Sequence, residues 1–132
     1  MKKKSQYIEF KESWKDEFLK TLSAFANTAG GRLYVGIRDD GSVCGISKTT
    51  KMLEDLPNKI TNILGIQADV YERTKDNLQY IEIRINKSPY PVSYNGGFYI
   101  RSGSITRELT GNTLQHFLLT ANNMTWDEVT VP

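Results

Sequence analysis

Ala24-Phe-Ala-Asn-Thr-Ala-Gly-Gly-Arg-Leu-Tyr-Val-Gly-Ile-Arg-Asp-Asp-Gly41 reads as a helix end, a tight corner, a buried strand and a turn. Upstream of it, Trp14, Phe18, Leu22 and Phe25 recur at the spacing that places apolar side chains on one helical face. Asn27 and Thr28 are weak helix formers, and Gly30-Gly31 supplies the positive-φ residue that closes a helix C-terminus. Leu33, Val35 and Ile37 then alternate with Tyr34, Gly36 and Arg38, the period of a strand with one apolar face. Asp40-Gly41 predicts a type I′ hairpin turn, with positive φ at both central residues and a short return strand from Val43 to Ile46.

Working outward, Gln6 to Glu12 alternates as a strand, with Tyr7, Glu9 and Lys11 on one face and Ile8 and Phe10 on the other. One face can be buried and the other offered to a partner. Ser13 is placed to cap a helix over Trp14–Thr28, with Asp16 and Glu17 in the first turn, where negative charge complements the helix dipole. Met52, Leu53, Leu56, Ile60, Ile63 and Leu64 follow at helical spacing and Pro57 interrupts them. Either a turn over 50–55 precedes a helix starting near Pro57 and ending at Gly65, or one helix is kinked there; the first is preferred, since proline suits the first helical position. Ala68–Thr74 and Leu78–Ile85 predict a β-hairpin around Lys75-Asp76-Asn77. Ser88-Pro-Tyr-Pro-Val92 reads as an ordered connector or a groove wall, because each proline removes a ladder donor. Asn95-Gly96-Gly97 turns the chain between two more strands. Thr110 or Asn112 can cap a last helix carrying Leu114, Phe117, Leu118 and Ala121, and a tail with Trp126 packs loosely behind it. The sum is an α+β domain over 1–132: a mixed, mainly antiparallel sheet with two to three helices packed mainly on one face.

The totals narrow the class. A chain of 132 residues, 39% hydrophobic and 24% charged, is a globular domain with one core. No apolar run approaches a membrane span and Lys2-Lys3-Lys4 leads into no signal-peptide core, so the expected compartment is the cytoplasm. A single cysteine, Cys44, excludes an internal disulfide, and with His116 as the one histidine there is no cysteine/histidine zinc site. Cys44 reads as a small buried strand residue and His116 as a surface or capping residue. The net charge of +2 is only mildly basic, although residues 1–51 hold ten Lys/Arg against six Asp/Glu.

Four blocks in order carry a resemblance: Ile-Glu-Phe-Lys at 8–11, Ala-Phe-Ala-Asn-Thr-Ala-Gly-Gly at 24–31, Gly-Ile-Arg-Asp-Asp-Gly at 36–41 and Tyr-Ile-Arg-Ser-Gly-Ser at 99–104. Together they resemble the schlafen-like, Alba-type domains assigned to DNA binding in bacterial transcriptional regulators, also named divergent AAA domains. The resemblance implies a nucleic-acid partner, DNA before RNA, and an N-terminal module of a longer protein. The paired lobes of schlafens make a homodimer plausible. Lys11, Arg38, Arg101, Ser102 and Arg107, in or beside these blocks, become the candidate nucleic-acid contacts, with Tyr7, Tyr34, Tyr94 and Tyr99 interleaved.

In the nuclease branch of schlafens two glutamates and an aspartate bind a divalent metal. Carried over, the second glutamate falls on Glu9 and the aspartate on Asp40. The first falls on Lys4, an ammonium that removes a ligand and repels a cation. The expectation is therefore no metal and no catalysis, with a metal-dependent ribonuclease of the schlafen type or a non-catalytic sensing or oligomerisation domain as alternatives. ATP is not expected either: Gly41 to Thr49 places Ser47 before Lys48 and lacks phosphate-loop glycine spacing.

Overall fold

The helix read from Trp14 begins later than its apolar spacing implies. In the computed structural model, which describes residues 3–130 and side chains as far as Ala121, a single 3-10 turn spans Asp16–Phe18 and α1 runs Leu19–Asn27. Lys15, not Ser13, holds the extended N-cap position. Asp16 accepts a hydrogen bond from Trp14 Nε1 at 2.9 Å and pairs with Lys59 at 2.9 Å. The 3-10 turn shifts the helical phase, so Leu19, Leu22, Phe25 and Ala26 are buried while Phe18 is half-covered. Within α1 only Lys20 escapes burial, because the helix lies between two sheets.

The corner after α1 requires glycine. Gly30 has φ +79° and donates to the Phe25 carbonyl at 2.7 Å, and a Cβ there would sit 2.8 Å from the Ile85 carbonyl oxygen. The chain then enters β2 (Gly31–Val35), which pairs in parallel with β1 (Ile8–Lys11) and antiparallel with β4 (Leu78–Ile85). β3 (Ala68–Lys75) completes a sheet of order β1-β2-β4-β3. The β3–β4 hairpin turns at Asp76-Asn77, with φ +52° and +64°, a pair of positive φ values that fits a type I′ turn. β5 (Ser93–Tyr94), β6 (Gly97–Ser102) and β7 (Ile105–Glu108) form a second, antiparallel sheet against the other side of α1. The fold is α+β, with the strands split between two sheets.

Two expectations are corrected here. Thr49–Leu64 is one helix, α2, with Pro57 inside it, rather than a turn followed by a helix from Pro57. Proline costs a helical hydrogen bond, but Leu56, Ile60 and Leu64 on one face bury into the core and outweigh that loss. No return strand follows β2, only an isolated bridge between Ile37 and Val43. Gly36, at φ +102°, turns the chain out of the strand, and Val43 of the following segment packs against the cluster of Phe10, Tyr34 and Ile37. Cys44 accordingly lies half-buried in a loop and not in a strand.

α1 and α2 cover one face of the four-stranded sheet through Leu33, Val35, Ile81, Ile83 and Ile85. A last helix, α3 (Gly111–Thr130), starts with Thr110 as its cap position, whose carbonyl accepts from the Leu114 amide at 3.3 Å. The tail expected from Asn122 onward continues this helix to Thr130, and the Trp126 side chain lies beyond those described. No helix among the described residues is long and apolar enough to cross a membrane.

Asn27 joins the two halves of the structure. Its buried Nδ2 donates to the carbonyls of Val92 (2.8 Å) and Tyr99 (2.9 Å), and its Oδ1 accepts from the Val92 amide (2.8 Å). Asn27→Ala orphans these buried backbone groups, and is expected to lower unfolding stability by on the order of 3 kcal/mol in urea titrations. A loss under about 0.5 kcal/mol would show that water replaces the amide.

Candidate functional site

In parallel pairing Glu9 stands opposite Leu33, so its side chain takes the helix-covered face and not a free one. It is 6% exposed, which corrects the expectation of a solvent-facing carboxylate. Three donors surround it. Lys4 Nζ lies 3.0 Å from Oε1, the Phe10 amide donates to the same oxygen at 2.9 Å, and Arg101 Nη1 approaches Oε2 at 3.4 Å.

Arg101 is itself interior, at 3% exposure. Its guanidinium donates to the carbonyls of Ser5 (2.7 Å) and Gln6 (3.4 Å) and to Thr106 Oγ1 (3.0 Å), and lies 5.0 Å from the centre of the Phe25 ring. An arginine read from sequence as a phosphate contact is thus a buried tie between β6 and the N-terminal strand. Burial lowers its pKa and Glu9 offsets this only in part; an arginine remains charged throughout. Ser102 and Arg107 are exposed on the β6–β7 hairpin, and Lys11 Nζ rests 4.4 Å from the centre of the Phe18 ring.

The aspartate turn differs from the expected type I′ form. The Gly41 amide donates to the Arg38 carbonyl at 2.8 Å, which makes Asp39-Asp40 the central pair, and neither has positive φ. Gly41, at φ +89°, follows as the single left-handed residue, the three-residue hairpin pattern. Asp40 is occupied locally: Oδ1 accepts from the Ser42 hydroxyl (2.6 Å) and amide (2.9 Å), which holds its carboxyl below the usual range. Arg38 is exposed, with Nη1 3.4 Å from Ser42 Oγ. Asp39, not Asp40, reaches the first strand, because Lys4 Nζ sits 2.6 Å from its Oδ1. That hydrogen bond and charge lower the Asp39 pKa. Burial works against the Lys4 charge, but Asp39 and Glu9 outweigh it and raise its pKa.

First strand, turn and late arginine do meet, then, as a closed chain of ion pairs: Asp39, Lys4, Glu9, Arg101. A divalent metal does not fit. The ammonium already stands between the two carboxylates, and no group of three or more His, Cys, Asp or Glu among the described residues is placed to hold an ion.

A second cluster went unnoticed in the sequence. Where β2 begins and β4 ends, Arg32, Arg84 and Lys87 border a cavity of about 530 Å³ together with Ser5, Tyr7 and the Gly30-Gly31 corner, and no carboxylate is among its described lining residues. Arg32 stands directly across from Arg84. The adjoining sheet face, away from α1 and α2, carries Tyr71 with the Arg73 and Arg84 guanidiniums 4.7 and 5.1 Å from its ring centre. Glu82, on the same face, pairs with both arginines. Burial pushes its pKa up, but the arginines outweigh this and hold it low. These residues all lie outside the motif blocks, Arg32 directly after one of them, and only strand register brings them together.

Arg101→Met takes one of two cations from Glu9, which keeps Lys4, and leaves the buried Ser5 and Gln6 carbonyls without their donor, so a loss of about 2–3 kcal/mol is expected in chemical unfolding. A variant that unfolds like the parent chain would contradict the tie. Separately, about 5 mM Mn²⁺ is expected to leave the melting temperature within about 1 °C, since an ion with no site adds no binding energy. A saturable rise that Glu9→Gln abolishes would reverse that assignment.

Comparison with known proteins bears on this geometry. No curated protein matches the sequence. Among the solved structures that share the fold are the DIP2311 protein of Corynebacterium diphtheriae (21% identity, TM-score 0.68) and the N-terminal domain of a RecG-related protein, named for a putative ATP-dependent DNA helicase, from Nitrosomonas europaea (16% identity, TM-score 0.55). The alignments cover 79% and 85% of this chain, but 22% of the first protein and 84% of the second. Residues 4–110 match the family described as Schlafen, AlbA_2, and with so much of its length matched the chain belongs to that family.

Proposed function

We propose that this domain binds nucleic acid, DNA in preference to RNA, as a non-catalytic module of a longer bacterial regulator. The observation that carries the reading is the corner bordered by Arg32, Arg84 and Lys87, whose described lining residues include no carboxylate, with Glu82 holding Arg84 from the adjoining sheet face. Phosphates are held by clustered cations and close backbone approach, and a sheet face with a tyrosine between guanidiniums gives bases a surface to stack on. Family membership supports a nucleic-acid role, and the helicase name of the RecG-related neighbour favours DNA. The 22% coverage of the DIP2311 protein supports a module within a larger chain.

Catalysis has no comparable support. With Lys4 between Glu9 and Asp39, this site has no open position from which a metal could activate water. Arg38, Ser102 and Arg107 lie away from the corner's lining and serve as the competing interface in the test.

Fluorescence anisotropy with short labelled DNA and RNA, single and double stranded, decides between the two surfaces. Binding is expected to weaken steeply between about 50 and 200 mM salt. Arg32→Ala and Lys87→Ala are each expected to reduce the salt slope by about 1, the signature of one lost phosphate contact. Unchanged slopes in both variants, with losses in Arg38→Ala and Arg107→Ala, would move the interface to the turn and the late hairpin. No binding at about 50 mM salt would reject the function.

A further inference from the structure

The proline-flanked connector Ser88–Val92 is one wall of a separate cavity of about 420 Å³. Ile100 and Leu109 line it from the second sheet, and Phe117 and Thr113 close it from α3. The volume falls within the range of about 300–1,000 Å³ that holds small organic ligands. The connector is fixed at both ends before any ligand arrives. The Ser88 amide donates to the Ala26 carbonyl at 2.8 Å, and the Asn27 amide group binds both backbone groups of Val92. Pro89 and Pro91 restrict the backbone between these anchors, so little ordering cost remains for a ligand.

Charge selects the ligand class. Lys87 and His116 stand in the lining, and no aspartate or glutamate is among its described residues. The other walls are largely apolar, with polar groups limited to Asn27, Ser88, two threonines and the Tyr90 hydroxyl. We infer that this cavity is a binding site for a small amphipathic anion, a carboxylate on an aromatic or branched apolar body, whose charge is taken by Lys87. Lys87 also borders the cationic corner. If that corner binds nucleic acid as proposed above, ligand and phosphate compete for one ammonium, and ligand weakens nucleic-acid binding.

The probes are 4-phenylbutyrate and its neutral counterpart 4-phenylbutanol, titrated into the ¹⁵N-labelled full chain and followed by NMR. Saturable shifts are expected at the connector, Ile100, Leu109 and the first turns of α3. The acid is expected to bind about tenfold tighter, the value of one charge-assisted hydrogen bond. Lys87→Met is expected to erase that preference while leaving the alcohol's affinity unchanged. Thr113→Trp, at an exposed position on the cavity mouth, should block both probes with the remaining spectrum intact. No saturable shift at these residues, equal affinities for acid and alcohol, or a preference that survives Lys87→Met would each overturn the site. Repeating the anisotropy titrations with saturating phenylbutyrate separates this inference from the function. Probe binding without any nucleic-acid binding keeps the cavity and rejects the interface. Nucleic-acid binding without probe binding does the reverse. Both together, with nucleic-acid affinity unaffected by the acid, remove the competition through Lys87.

Discussion

The guanidinium of Arg101 is the interaction on which the rest of the structure depends. It crosses from the second sheet to the edge of the first, beside the Phe25 ring, and donates to Glu9 and to carbonyls of the segment leading into β1. β1 has one strand partner, β2, so its outer edge would otherwise be an open row of backbone groups. Removing an arginine from water is costly, and the cost is met only because its donors find several acceptors in fixed positions. Lysine could not substitute, since one ammonium has neither the reach nor the fork. The same residue therefore joins the two sheets and fixes the strand from which Glu9 projects.

With Glu9 held in place, the chemistry of that end follows from charge. Two carboxylates reaching toward one point repel unless a cation intervenes, and here Lys4 supplies it from within the chain. The result is neutralised and cross-linked: the N-terminal segment, β1 and the aspartate turn are held to one another by a single ammonium. A tethered cation cannot polarise a phosphate or generate hydroxide as a divalent ion does. Among the described residues, cations that are free of such a bridge lie elsewhere, at Arg32 and Lys87, while their neighbour Arg84 is shared with Glu82.

How far the sequence could be read depended on whether a feature was local. The helix–Gly-Gly–strand corner and the Asp76-Asn77 hairpin were legible, because each is decided by residues within a few positions of one another. Pro57 and the Asp39-Asp40 turn were not, because tertiary burial overrode a local preference in α2 and a one-residue shift in turn register moved the bridging role from Asp40 to Asp39. Arg101 was the most misleading residue. A guanidinium in a Tyr-Ile-Arg-Ser block has the same chemistry whether it faces phosphate or carbonyls, and only the fold decides. The Arg32–Arg84–Lys87 corner was hidden for the opposite reason: its members are ordinary in sequence, more than fifty positions separate Arg32 from Arg84, and antiparallel register alone puts them side by side.

Asn27 shows how these parts depend on one another. Its amide holds Val92 and Tyr99, and so sets the positions of the connector and β6 at once. The connector forms a wall of the apolar cavity, β6 delivers Arg101 to Glu9, and the Ala26 carbonyl one residue earlier fixes Ser88 directly after Lys87. Lys87 is thus positioned by the same helix end that opens the cationic corner at Gly30. Two cavities with different chemistry share that ammonium because α1 ends where both begin. A shift of the α1 C-terminus would move the connector, the corner and the buried arginine together, so the helix end requires both the donors and acceptor of Asn27 and a Gly30 with no side chain.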